Sequence, residues 1–143
     1  MRSCFIFCIV ITAHNIHTKG DKMSIHESGE MYLESIYLLL KQHNRVRSIN
    51  VAEFTGYKKP SVSRAMGLLK ENGFITIDSD GYISLTESGL TLAEKTYERH
   101  SLLTEFFMRL GVSEETAEAD ACKIEHVISD ETIEAMKHHC KSL

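Results

Sequence analysis

A chain of 143 residues with 43% hydrophobic side chains and a single proline is long enough for one packed domain, or two small ones sharing a core, and is not a low-complexity tail. Its four cysteines, Cys4, Cys8, Cys122 and Cys140, form neither a disulfide framework nor paired C-x-x-C knuckles, so reduced thiols in a cytoplasmic protein are expected. The formal charge of −4 is unevenly spread: Asn44 to Asn72 carries six Lys/Arg against two acids, a net +4 that leaves −8 elsewhere, and such a basic island marks a local footprint for a polyanion.

Residues 1–22 read as an N-terminal extension, either disordered or the product of a start codon placed too early. Cys4 to Ala13 is apolar behind Arg2, but a bilayer span takes about 20 apolar residues and no small-x-small cleavage site is clear. Organised sequence begins after Met23. A first helix is predicted from an N-cap at Ser28 to Gln42, apolar nearly all round through Met31, Tyr32, Leu33, Ile36, Tyr37, Leu39 and Leu40. Ser48 caps a short helix to Phe54, and Gly56 breaks it. Pro60 suits the first turn of a third helix that ends at Asn72-Gly73. The period then changes: Phe74–Ile77 and Tyr82–Leu85 are β-prone and flank Asp78-Ser79-Asp80-Gly81, a hairpin turn. A helix-turn-helix followed by a hairpin is a winged helix. Thr86 then caps a long helix to Gly111, Ser113 opens a fifth helix running through Val127, and Ser129-Asp130 caps a sixth.

Two groups of residues carry chemistry. Lys58, Lys59, Pro60, Ser61, Ser63 and Arg64 crowd the start of the third helix. Arg64 suits guanine in the major groove, and Ser61 with the helix N-terminus suits a phosphate. The wing tip bears an acid and no cation, so its backbone contacts should be weak. Cys122, Glu125 and His126 form a C-x-x-E-H cluster; at helical spacing they share one face, where thiolate, carboxylate and imidazole converge as a divalent transition metal requires. A metal site beside a DNA-reading module points to a regulator. No H-E-x-x-H signature is present, so no enzyme is expected. The alternative is a winged-helix regulator that senses redox state through Cys122.

From Glu30 onward the chain resembles the diphtheria-toxin-repressor and manganese-transport-regulator family of dimeric, metal-activated winged-helix repressors. The resemblance is carried by Glu30-Met31-Tyr32-Leu33, Ile36-Tyr37, Pro60-Ser61-Val62-Ser63, Leu85-Thr86-x-x-Gly89, Arg99-His100, Cys122-x-x-Glu125-His126 and Ser129-Asp130, in that order. It implies that Met31 meets Cys122, Glu125 and His126, that His100 is a second ligand position, and that Glu34 matches an acid that binds metal in the manganese branch. The manganese branch has acids where this chain has Met31 and Cys122, which favours Fe2+ or a relaxed choice between Fe2+ and Mn2+. Thr104 and Glu118 depart from the second-site pattern. The chain stops at Leu143, so the short form without an SH3-like domain is expected. The whole is then mainly α with a small β-hairpin wing: a winged helix-turn-helix DNA-binding domain over 23–95 and a helical metal-binding and dimerisation domain over 96–143. The implied protein is a cytoplasmic homodimer on a double-stranded DNA operator. Phe106, Phe107, Leu110, Ile133 and Met136 are the expected dimer surface.

Overall fold

The computed structural model describes residues 25–141, so the reading of residues 1–22 lies outside the described residues. The chain divides into two compact units, with the boundary at Lys95 and Thr96.

In the first unit, α1 (Ile25–Gln42), α2 (Ser48–Thr55) and α3 (Lys59–Glu71) precede a hairpin of β1 (Ile75–Ile77) and β2 (Ile83–Leu85). The strands are antiparallel, with Ile75 opposite Leu85 and Ile77 opposite Ile83. An Arg47–Tyr82 bridge and a 2.8 Å hydrogen bond from Ile83 N–H to the Val46 carbonyl dock the α1–α2 connection on the hairpin. Leu33, Ile36, Val51, Val62, Met66, Ile75 and Ile83 fill the core, each at most 2% exposed. This is a winged helix-turn-helix.

Local chemistry explains the boundaries. Helix α1 starts at Ile25, so Ser28 is not its N-cap; Glu27 stands in the first turn, where an acid complements the helix dipole. Helix α2 includes Ser48, and its N-cap is Arg47, whose backbone N–H donates to Asn50 Oδ1 at 2.9 Å. Gly56 closes α2 at φ 73° and returns its N–H to the Ala52 carbonyl, a left-handed cap that glycine makes without strain. Pro60 lies in the first turn of α3.

Thr86 caps α4 (Glu87–Arg109), accepting from Gly89 N–H at 3.2 Å. The same hydroxyl donates to the Gly73 carbonyl at 2.7 Å, so the cap also ties α4 to the start of β1.

Tyr32 is buried with its ring centroid 5.9 Å from that of Tyr57. Burial, reinforced by Tyr57, pushes its phenol up to about 12 from 10.0. The folded state therefore holds this proton more tightly than the unfolded chain, and the associated stability falls as pH rises from about 10 towards 12. Urea melts across that range should show a shallower alkaline loss for Tyr32→Phe than for the wild type; equal slopes would refute the assignment.

In the second unit, the C-terminal half of α4 packs with α5 (Glu114–Ile124) and α6 (Asp130–Lys141). Leu103, Ala121 and Ile133 form its core, with Phe107, Ile124, Ile128 and Met136 packed around them. Ile133, at 3% exposed, is therefore not dimer surface. Helix α6 spends its apolar stripe closing its own small unit. Among the described residues of this unit, Met108, Leu110 and Val127 are the large apolar side chains left outside, at 44%, 67% and 65% exposed. Among the described residues no helix is long and apolar enough to cross a membrane.

Candidate metal centre and DNA-reading surface

The candidate metal cluster sits where α5 ends. The helix stops at Ile124, and Glu125 is its C-cap, still right-handed at φ −56° and ψ −29° with its N–H on the Ala121 carbonyl. Val127 N–H then bonds the Ile124 carbonyl at 3.0 Å, a tighter turn. The expected helix through Val127 is thus too long. Cys122 is on α5 and half-buried, Glu125 is its cap, and His126 belongs to the turn that follows.

That turn brings Glu125 to His100, which projects from α4. His100 Nδ1 and Glu125 Oε2 are 2.7 Å apart, with the residues 3% and 1% exposed. The other carboxylate oxygen, Oε1, lies 3.3 Å from His126 Nε2. A carboxylate taken this far out of water is strongly destabilising unless a donor faces it, and here the His100 imidazole does, with His126 beside the second oxygen. The nitrogens and oxygens in these contacts are also the lone-pair donors a divalent ion takes.

Arg99, one residue before His100, holds the same turn by its backbone. Its Nη1 donates to the Glu125 carbonyl at 3.0 Å, and Nη2 pairs with Asp130, the first residue of α6. In the sequence Arg99 was legible only as part of a resemblance, and Asp130 as that and as part of a helix cap. A contact spanning 31 positions has no local signal.

Met31 and Glu34 stand one turn apart on α1 in the first unit. Met31 packs at the edge of that unit's core, and Glu34 is buried, at 6% exposed. As a donor set, imidazole and carboxylate are borderline to hard, while the Cys122 thiolate and Met31 thioether are soft. Such a mixture fits a first-row divalent ion such as Fe(II), and the carboxylate and imidazoles also accept Mn(II).

The DNA-reading candidates lie on the outer face of α3. Lys58, Lys59, Pro60, Ser61, Ser63 and Arg64 are all exposed, whereas Val62, Met66 and Leu69 turn inward. Two more cations of the basic island, Arg45 and Arg47, lie over the Tyr82 ring at 4.9 and 4.3 Å from its centroid. A hydrogen bond from Arg45 and the charge of Arg47 hold the Tyr82 phenol below its ordinary value. These arginines were legible as charge but not as part of the wing.

Comparison with known proteins covers the segments that hold both candidate sites. Residues 24–83 match the N-terminal DNA-binding domain of the iron-dependent repressors, and residues 86–143 match their metal-binding and dimerisation domain. An uncharacterised HTH-type transcriptional regulator of Methanocaldococcus jannaschii is 35% identical over 113 residues, 78% of this chain and 90% of that protein. The transcriptional regulator MntR of Escherichia coli is 33% identical over 106 residues, 74% of this chain and 68% of that protein. The crystal structure of the metal-dependent transcriptional regulator MtsR superposes with a TM-score of 0.74 at 26% identity, covering 79% of this chain. The present chain spans about half of that regulator, 53%. None of these three is named for redox sensing, so the thiol-sensor reading of Cys122 has no support beyond the residue itself. A buried imidazole–carboxylate cluster and an exposed basic helix thus fall in the two segments where the matched domains bind metal and DNA, and the chain belongs to the iron-dependent repressor family.

Proposed function

We propose that this chain is a metal-dependent transcriptional repressor, activated by Fe2+ or Mn2+, that acts in the cytoplasm as a homodimer on double-stranded operators of metal-ion homeostasis genes. The observation that carries this reading is the buried His100–Glu125 pair, with His126 partly buried beside it, in the family's metal-binding segment. In this reading His100, Glu125, His126 and Cys122 hold the ion, with Met31 and Glu34 as its further donors. The bound ion supplies positive charge and fixed coordination. The chain's own part is to offer imidazoles and a carboxylate gathered in a largely buried setting, with the Cys122 sulfur on α5 as a further donor. Activation requires that the ion favour the DNA-competent arrangement over the others. In a dimer that arrangement sets two recognition helices about 34 Å apart, one turn of duplex. The protein works by binding, not by catalysis.

The test is duplex selection from a random pool in the presence of Mn(II), followed by affinity measurement with Mn(II), with Fe(II) under anaerobic conditions, and with chelator. Strong binding with either ion and weak binding with chelator is expected. Cys122→Ala and His126→Ala should remove the difference, and wild-type affinity that ignores metal would refute the reading.

The reading face gives a separate expectation. Arg64→Ala should cost about 1–3 kcal/mol on the selected site and relax base preference at one position. Lys58→Ala should weaken all duplexes alike and lower the slope of log K against log salt by about 0.9. Sequence-independent loss for Arg64→Ala would exclude a base contact.

A further inference from the structure

Arg99 and His100 are neighbours on α4, and together they grip Glu125 at both ends: Arg99 Nη1 takes its backbone carbonyl at 3.0 Å, and His100 Nδ1 meets its carboxylate at 2.7 Å. We infer that Arg99, braced by Asp130, is the positioning residue of the metal centre, holding the Glu125–His126 turn in its ligating geometry before the ion arrives.

The last carbonyls of a helix lack intrahelical donors, and Glu125 is the residue at which α5 ends. A charged guanidinium from another helix satisfies that carbonyl, while the second arm of the same planar group pairs with Asp130 at the start of α6. One side chain therefore pins both ends of the short link that carries His126. Arg99 is only 13% exposed, so water competes little for these bonds. Asp130 is 68% exposed; on its own it would make a weak surface pair, and its role is to orient Arg99.

The division of labour matters for binding. An ion held by the Glu125 carboxylate and the imidazoles would compete with the His100–Glu125 hydrogen bond. The Arg99 bond to the backbone carbonyl involves no donor atom of the set, so it survives. The turn then does not have to be ordered at the moment of binding, and preorganisation of this kind raises affinity.

This inference rests on the metal reading above, and its test separates the two. Mn(II) affinity is measured by competition with a fluorescent chelator on the full chain, well below the melting temperature, together with the Co(II) d–d absorption spectrum and the apo melting temperature. For Arg99→Met the Mn(II) Kd should rise roughly 10–100-fold and the Co(II) bands should shift, as loss of an outer-sphere partner does. Arg99→Lys, which keeps the charge but not the fork, should rise less, and Asp130→Asn less again. If Arg99→Met does not fold, the other two variants carry the test. Wild-type Kd and spectrum in the variants would overturn the proposal. So would a lowered apo melting temperature with unchanged Kd and spectrum, which marks a purely structural clasp. A wild-type chain that binds neither Mn(II) nor Co(II) would overturn the metal reading itself and this inference with it.

Discussion

Replacing Glu125 with glutamine is expected to raise the Kd for Mn(II) on the order of 100-fold, equivalent to about 2.7 kcal/mol, and to remove metal-dependent DNA binding. Glu125 is 1% exposed, and its two carboxylate oxygens lie against His100 and His126. Glutamine keeps its length and volume, so no cavity opens. The amide oxygen still accepts from His100, so the apo fold should melt within a few degrees of wild type. What is lost is the negative charge that offsets a divalent cation in a low-dielectric site, where charge–charge attraction is strong. Chelator competition gives the affinity, and duplex binding at saturating and zero Mn(II) gives the switch. Tight Mn(II) binding by Glu125→Gln would show that the ion is held elsewhere.

Gly89→Ala is expected to destabilise the first unit by about 3 kcal/mol or more, lowering the melting temperature on the order of 10 °C. A Cβ at position 89 would stand 1.9 Å from the Phe74 carbonyl oxygen and 2.9 Å from its carbon. Both are backbone atoms, so no side chain can rotate away. The start of α4 would have to leave β1, breaking the Thr86 hydroxyl bonds to the Gly73 and Phe74 carbonyls. Gly67→Ala is the control: it lies within α3 with nothing within 4 Å of its added methyl, and alanine there should stabilise by about 0.5–1 kcal/mol. Thermal melts of the two variants check both signs. A neutral Gly89→Ala would mean that helix and hairpin are not held in close contact.

These two positions differ in how far they were readable. Glu125 was named as a metal ligand from its C-x-x-E-H spacing alone. Gly89 entered only as one letter of a resembling motif. Glutamate in a cluster of soft and borderline donors advertises its chemistry through its neighbours in sequence. A glycine required for close approach is recognised only when the approaching backbone, here Phe74 fifteen positions upstream, is in view.

The amino-acid sequence by itself determined the order of helices, the hairpin and the turns. Those features depend on a few adjacent residues: positive φ at Gly56, Gly73, Gly81 and Gly111, a proline in the first turn of α3, and Thr86 or Ser113 before a helix. It also determined the basic face of α3 and the donor types of the candidate metal cluster, which are properties of residue identity and short spacing. Tertiary structure decided where α5 stops, which glycine is indispensable, and whether Ile133 faces solvent or core. Each of those outcomes is settled by a group distant in the chain: Arg99 competing for the Glu125 carbonyl, Phe74 lying against Gly89, and Leu103 and Ala121 covering Ile133. The free energy of such contacts comes from burial and pairing between elements, which no window of neighbouring residues contains.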